Sequence, residues 1–216
     1  NEVHEAEKVV SEIIHHRFTS SADYGSYAIL YRGNHQAKLF ETMLRQHNIP
    51  YFLSGGTSFF SRSEVKDVMA YLRLLTNADD DAAFLRVVNT PRREIGSGTL
   101  EKLGAYATRR RVPLLAACQE LGLAQEMSER AAERLREFSN WIGHYRRLAQ
   151  TDPPLATVQS MLQELDYQDW LYQNSSSDKQ AEKRWQNVGE LVQWLERVHK
   201  GDRCGDSLAE IVSHLT

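Results

Sequence analysis

Val3, Val9, Val10, Ile13 and Ile14 recur at helical spacing among Glu2, Glu5, Glu7 and Glu12. This predicts an amphipathic helix over 2–17, with acids in the first turns, where the helix dipole favours them. The period then changes. Tyr27-Ala-Ile-Leu-Tyr31 is a short, nearly continuous apolar run of the kind that forms a buried parallel strand, and Arg32-Gly33-Asn34 breaks it. From 35 to 47 the pattern is helical again, with Leu39, Phe40, Met43 and Leu44 on one face. Asn48-Ile-Pro-Tyr-Phe-Leu53 then reads as a second strand ending at Gly55-Gly56. Strand, crossover helix and strand make a βαβ unit, which belongs in a larger parallel sheet than two strands can build.

Beyond Gly56 every periodic segment is helical. Ser61 and Glu64 have capping-box spacing before Val65, Val68, Met69, Leu72 and Leu75, predicting a helix over 62–75. Further helices are predicted at 81–89, 98–109, 113–121, 128–149, 154–165, 178–199 and 206–215. Ser128, Pro113, Pro153-Pro154 and Asp206-Ser207 supply start signals. Leu135, Phe138, Ile142 and Tyr145 form one apolar stripe, and Trp185, Val188, Val192, Leu195 and Val198 another, enough for an all-helical core. Asn174-Ser-Ser-Ser-Asp178 reads as a loop. The fold class is therefore mainly α with a small α/β part.

Composition narrows the classes of function. The 216 residues are 41% hydrophobic and 25% charged, ordinary values for a folded domain. No apolar run approaches the ~20 residues needed to cross a bilayer, so no membrane partner is expected. Cys118 and Cys204 stand alone, without the spacing of a zinc module or a disulfide framework, and read as reduced thiols. The net charge of −3 means that a polyanion would have to meet a local basic patch. The opening Asn-Glu-Val-His, with neither initiator Met nor signal peptide, reads as part of a longer polypeptide.

Candidate chemistry is sparse. No glycine precedes a lysine, so the phosphate-binding GxxxxGK[ST] loop is absent, as are HExxH and GxSxG. No catalytic or metal-binding residue is assigned. Asp79-Asp80-Asp81 directly precedes an apolar helix and reads as a cap and acidic turn rather than a magnesium site. The strongest local feature is Thr90-Pro-Arg-Arg-Glu-Ile-Gly96-Ser-Gly98-Thr99. Residues 86–111 around it hold seven basic residues against two acids, a net of +5. Glycines before a helix start let backbone amides approach a phosphate, and Thr99 adds a hydroxyl, an arrangement that grips nucleic-acid backbone without reading bases. The plainer reading is a glycine-containing turn with solvated arginines. Arg32 and Asn34 follow a predicted strand at its carboxyl end, where open α/β sheets bind ligands; routine loop chemistry is the other reading. Trp141, Trp170, Trp185 and Trp194 read as core rather than as stacking platforms for bases.

Taken in order, Tyr27-Ala-Ile-Leu-Tyr-Arg-Gly-Asn34, Ser54-Gly-Gly-Thr-Ser-Phe-Phe-Ser-Arg62, Glu64-Val-Lys-Asp67, Ala70-Tyr-Leu-Arg73, Asp79-Asp-Asp81 and Phe84-Leu-Arg-Val-Val-Asn-Thr-Pro91 resemble the Rep/UvrD/PcrA group of superfamily 1 DNA helicases. Arg93-Glu-Ile-Gly96 and Asp166-Tyr-x-x-Trp-Leu-Tyr172 resemble its Rep branch. The resemblance implies that residues 1–77 are the first part of the second RecA-like domain, 2A, and that 78–216 are most of its helical insert, 2B. It implies a cytoplasmic parent enzyme that uses ATP and magnesium to translocate 3'-to-5' on single-stranded DNA and unwind duplex. The nucleotide-binding motifs lie outside these residues, so the chain itself is expected to need no cofactor and to be inactive as an ATPase. By the same resemblance Arg32 and Asn34 contact single-stranded DNA. Lys66 and Arg73 lie near the duplex junction, while Ile95, Gly96 and Thr99, with Arg92 and Arg93 beside them, hold duplex backbone. Expected partners are DNA, the rest of the helicase chain and, through uncovered strand edges, a second copy of itself. Gly55-Gly56 and Thr76 to Asp79 are expected hinges. The competing reading is a helical protein-interaction or regulatory module that does not touch DNA.

Overall fold

The computed structural model describes residues 2–54, 58–199 and 207–213, with the side chains of Asn34 and His35 excepted. The chain separates into two packing units, residues 1–62 with 213–216, and residues 63–212.

In the first unit α1 (Glu2–Ser20) packs on α2 (Asn34–Gln46). Val10, Leu44 and Ile49 form the centre, with Ile14, Tyr24, Ile29, Met43 and Tyr51 packed around them. The two expected strands are the main correction. Neither 27–31 nor 48–53 forms a ladder, and no strand occurs among the described residues. A strand needs a neighbour at hydrogen-bonding distance, and these two segments do not supply it to each other. Their exposure nevertheless alternates residue by residue, as extended chain requires: Ile29, Ile49 and Tyr51 face the helices, while Leu30 and Phe52 stand 93% and 92% exposed. Between the segments and the helices lies an open cleft of about 880 Å³ floored by Ala37, Phe40, Glu41 and Leu44. A 3₁₀ turn, Phe59–Ser61, is tied to α2 by Glu41, whose Oε2 accepts from the Phe59 amide at 3.0 Å. Lys38 and Arg45 sit over the Phe59 and Phe60 rings. The expected hinge at Gly55-Gly56 lies outside the described residues.

The described part of the second unit consists of helices and the turns between them, built around α3 (Ser63–Thr76). Val65, Val68, Tyr71, Leu72 and Leu74 of that helix are fully buried. It packs on α4 (Asp81–Val87), α7 (Glu129–Thr151) and α10 (Asp178–His199). The helix predicted over 62–75 therefore packs with the residues that follow it. The segment between α3 and α4, an expected hinge, is a closed turn: the Asn77 amide donates to Arg73 O at 2.7 Å. Arg146 of α7 donates to the Leu74 and Leu75 carbonyls. Around this centre lie α5 (Ser97–Arg110), α6 (Leu114–Ala117), α8 (Pro154–Glu164), α9 (Tyr167–Gln173) and α11 (Leu208–Ser213).

The α7 stripe is buried as its period predicts, and Ser128 caps that helix by accepting from the Ala131 amide. On α10 the buried face is centred on Leu191 and Trp194, with Trp185 and Val192 only half-buried, a rotation from the predicted stripe. The helix predicted over 113–121 ends at Ala117, and a 3₁₀ turn follows at Leu121–Gln125. The predicted capping box does not form. Ser61 donates to Ser58 O, and Glu64 is instead buried, accepting from Asn187 Nδ2 at 2.6 Å and Arg184 Nε at 3.3 Å. Asp67, one turn on, pairs with Arg86 at 2.7 Å and accepts from the Tyr167 hydroxyl at 2.9 Å. Burial raises its pKa against the opposing pull of Arg86 and the Tyr167 hydrogen bond. These two carboxylates fasten α3 to α4, α9 and α10. No described helix is long and apolar enough to cross a membrane.

Candidate nucleic-acid interface

The basic glycine turn runs from the end of α4 to the start of α5 and is held from beneath. Asn89 Oδ1 accepts from the Arg93 amide at 2.7 Å and the Ile95 amide at 3.3 Å, closing the turn on itself. The Thr90-Pro91 peptide is cis. The buried Tyr71 hydroxyl donates to Thr90 O, and burial pushes its pKa up to about 12, keeping it a donor at neutral pH. Arg93 points inward. Its Nη1 donates to the carbonyls of Val87, Val88 and Pro91 at 3.0–3.3 Å, its Nη2 reaches Tyr71 Oη at 2.9 Å, and its guanidinium lies 4.9 Å from the Phe138 ring centroid. Ile95 is 2% exposed and plugs the turn into the core. Arg93 and Ile95, expected at the DNA surface, thus hold the turn in place by their side chains.

Outward face Arg92, Gly96, Ser97 and Gly98, with Thr99 half-buried behind them. No side chain caps α5; the Thr99 and Leu100 amides donate to Gly96 O at 3.1 and 3.2 Å, which leaves the Ser97 and Gly98 amides open at the positive end of the helix dipole. Neither Gly96 nor Gly98 has left-handed φ, and a Cβ built on either would meet nothing within 4 Å. Internal packing does not require these glycines; what they leave is clear space over open amides. Glu94, by contrast, has φ 55°, and its carboxylate is held by Arg134 and, at 3.4 Å, by Arg130, both on α7.

The seven basic residues clustered in sequence are dispersed by the fold. Arg86 pairs with Asp67 and Arg93 is internal. Arg109 pairs with Glu126 at 2.6 Å and Arg110 with Glu120 at 2.8 Å, where the guanidinium and the Tyr106 hydroxyl hold the Glu120 carboxyl below its usual range. Arg73 is tied to Asp80 at 2.6 Å, and the same aspartate caps α4 through the Ala83 amide. The acidic run thus does the capping work read from its position, and Asp81 adds a brace not read there by accepting from the Leu114 amide at 2.8 Å. Lys66 is exposed, seven residues before Arg73 on the same stripe of α3. In the first unit Arg32 is exposed, and its amide and that of Gly33 donate to Gln36 Oε1, folding the chain into α2 at Asn34. The residues that sequence reasoning missed are those that support the turn: Tyr71, Asn89, Phe138, Arg130 and Arg134. The i,i+4 spacing of the two arginines on α7 was the available signal.

The turn thus clears space over two helix-start amides in a loop that carries an exposed arginine, and the comparisons with known proteins give the family in which it occurs. Residues 1–216 match the UvrD-like helicase C-terminal domain. The chain belongs to that family. It is 48% identical over 218 residues to the ATP-dependent DNA helicase Rep of Salmonella typhimurium strain LT2, covering 100% of this chain and 32% of that protein. The figures are the same for the ATP-dependent DNA helicase Rep of Escherichia coli K12. Against the ATP-dependent DNA helicase PcrA of Leuconostoc citreum it is 33% identical over 188 residues, 87% of this chain and 25% of that one. The chain of this UvrD-like family member thus spans about a third of the length of its Rep relatives.

Proposed function

We propose that this chain is a DNA-backbone-holding part of a Rep-like, 3'-to-5' ATP-dependent DNA helicase, with residues 1–77 as the first part of domain 2A and 78–216 as most of insert 2B. The observation that carries the reading is the open start of α5, where Gly96 and Gly98 leave clear space beside exposed Arg92. A phosphate oxygen seated there would accept from the Ser97 and Gly98 amides and pair with Arg92, contacts blind to base identity. Thr99 and Lys66 belong to the same duplex-holding set, Arg73 joins it on release from Asp80, and Arg93 and Ile95 act as positioning residues. Arg32 and Asn34 would contact the single strand. ATP and magnesium act in the rest of the enzyme, and we assign no ATP hydrolysis to these residues. The exposed Leu30 and Phe52 suit cover by the remaining strands of a RecA-like sheet, or by a second copy when that cover is missing.

One observation favours a second reading, a helical interaction module: Arg86, Arg93, Arg109 and Arg110 are all engaged within the protein. Fluorescence anisotropy with two duplexes of unrelated sequence separates the two. The DNA-holding reading expects both to bind alike and Arg92→Ala to weaken both equally. Absence of binding at low salt by folded protein would favour the interaction module.

A further inference from the structure

Glu94 sits in the middle of the proposed duplex-holding turn, one residue from buried Ile95 and two from the open glycine surface. A carboxylate there should repel a phosphate, yet the turn adopts a left-handed backbone at this non-glycine residue and presents the carboxylate to two arginines of α7. The cluster is open to solvent. Glu94 is 61% exposed and Arg130 77%, whereas Arg134 is 23% exposed. Arg134 makes two kinds of contact: Nη2 holds the Glu94 carboxylate, and Nη1 donates to the Glu94 carbonyl at 3.2 Å. If the carboxylate leaves, the second bond still fixes this guanidinium beside the turn. An exposed carboxylate pair binds arginine weakly, and a phosphate offers the same planar fork more acceptor oxygens.

We infer that Glu94 is a built-in stand-in for a DNA phosphate, occupying Arg130 and Arg134 until duplex backbone displaces it, and that these two arginines extend the duplex-holding surface from the turn onto α7. The inference rests on the DNA-holding reading above. It differs from the view of Glu94 as a clip for the turn, because a clip makes its removal harmful to binding, whereas a stand-in makes its removal favourable.

The test is duplex anisotropy across a salt series with the 216-residue chain, comparing wild type, Glu94→Gln, Arg130→Ala and the double variant, each with its thermal midpoint measured. Glu94→Gln is expected to bind duplex about threefold to fivefold more tightly, the range of one released surface pair. Its log-log salt slope should steepen by about 1 to 2 as the freed arginines meet phosphates. Arg130→Ala, whose side chain is largely exposed, should leave the midpoint unchanged, weaken duplex binding and shallow the slope by about 1. The double variant should lose much of the Glu94→Gln gain. Wild type that binds duplex, with no gain in Glu94→Gln and no loss in Arg130→Ala, overturns this inference alone. Absence of duplex binding in every variant overturns the DNA-holding reading and this inference with it.

Discussion

Arg92 and Arg93 are neighbours of the same type, and the fold gives them opposite directions, so their alanine variants should separate cleanly. Arg93→Ala removes one guanidinium that serves three carbonyls and the Tyr71 hydroxyl and that stacks on Phe138. A hydrogen bond to a charged group contributes about 1.5–3 kcal/mol, and an acceptor left unmet costs about 1–3 kcal/mol. Four acceptors share this one group, and water can reach part of a half-buried site, so the set is worth about 3–4 kcal/mol rather than the sum. For a unit of this size that corresponds to a midpoint lower by roughly 6–16 °C. All four tryptophans lie in the second packing unit, and Trp141 sits edge-on to Tyr71 at 5.9 Å, so tryptophan fluorescence during urea unfolding reports on the unit concerned. Arg92→Ala should stay within about 0.5 kcal/mol of wild type, as surface substitutions do. An Arg93→Ala protein as stable as wild type would refute the inward reading and return Arg93 to the binding surface.

Two further outcomes follow from buried carboxylates and a third from the open glycine surface. Glu64→Ala leaves Arg184 and Asn187 facing a void in the core and should cost about 3–5 kcal/mol, read as a fall in the urea midpoint, while Glu64→Gln costs less. Asp67 has a raised pKa in the folded state, so the folded protein holds that proton more tightly than the unfolded chain. Its contribution is therefore most favourable at low pH and declines as pH rises through the window above the ordinary aspartate value. The stability of wild type minus that of Asp67→Asn should accordingly fall with rising pH across that window, and a difference that grew with pH would contradict the burial argument. Gly96→Ala has room for its Cβ and ordinary φ, so it should fold normally yet bind duplex more weakly because the methyl stands over the open amides; unaltered binding would remove the close-approach argument.

What could be read from the sequence was what depends on near neighbours. The α7 stripe from Leu135 to Tyr145, the Ser128 cap and the capping role of Asp80 all follow from spacing within one helix, and each stands in the fold. The strands at 27–31 and 48–53 did not, because a ladder is a property of partners far along a chain; only the alternation at Leu30 and Phe52 remains of them. Glu64 had the spacing of a cap, but the arrival of α10, bringing Arg184 and Asn187 from over a hundred residues away, gave it a buried role. The glycine turn was legible as a candidate site. Which arginine faces out was not, since that choice is made by Tyr71 and Phe138, and the pairing of Glu94 with Arg134 spans 40 residues.

The salt dependence of duplex binding by the wild-type chain tests the central claim most directly. Backbone holding through roughly 3–5 phosphates predicts a log-log slope of about −3 to −4.5, shallower by about 1 in Arg92→Ala. A folded chain whose duplex affinity is indifferent to salt, or that binds no duplex at low salt, would contradict it.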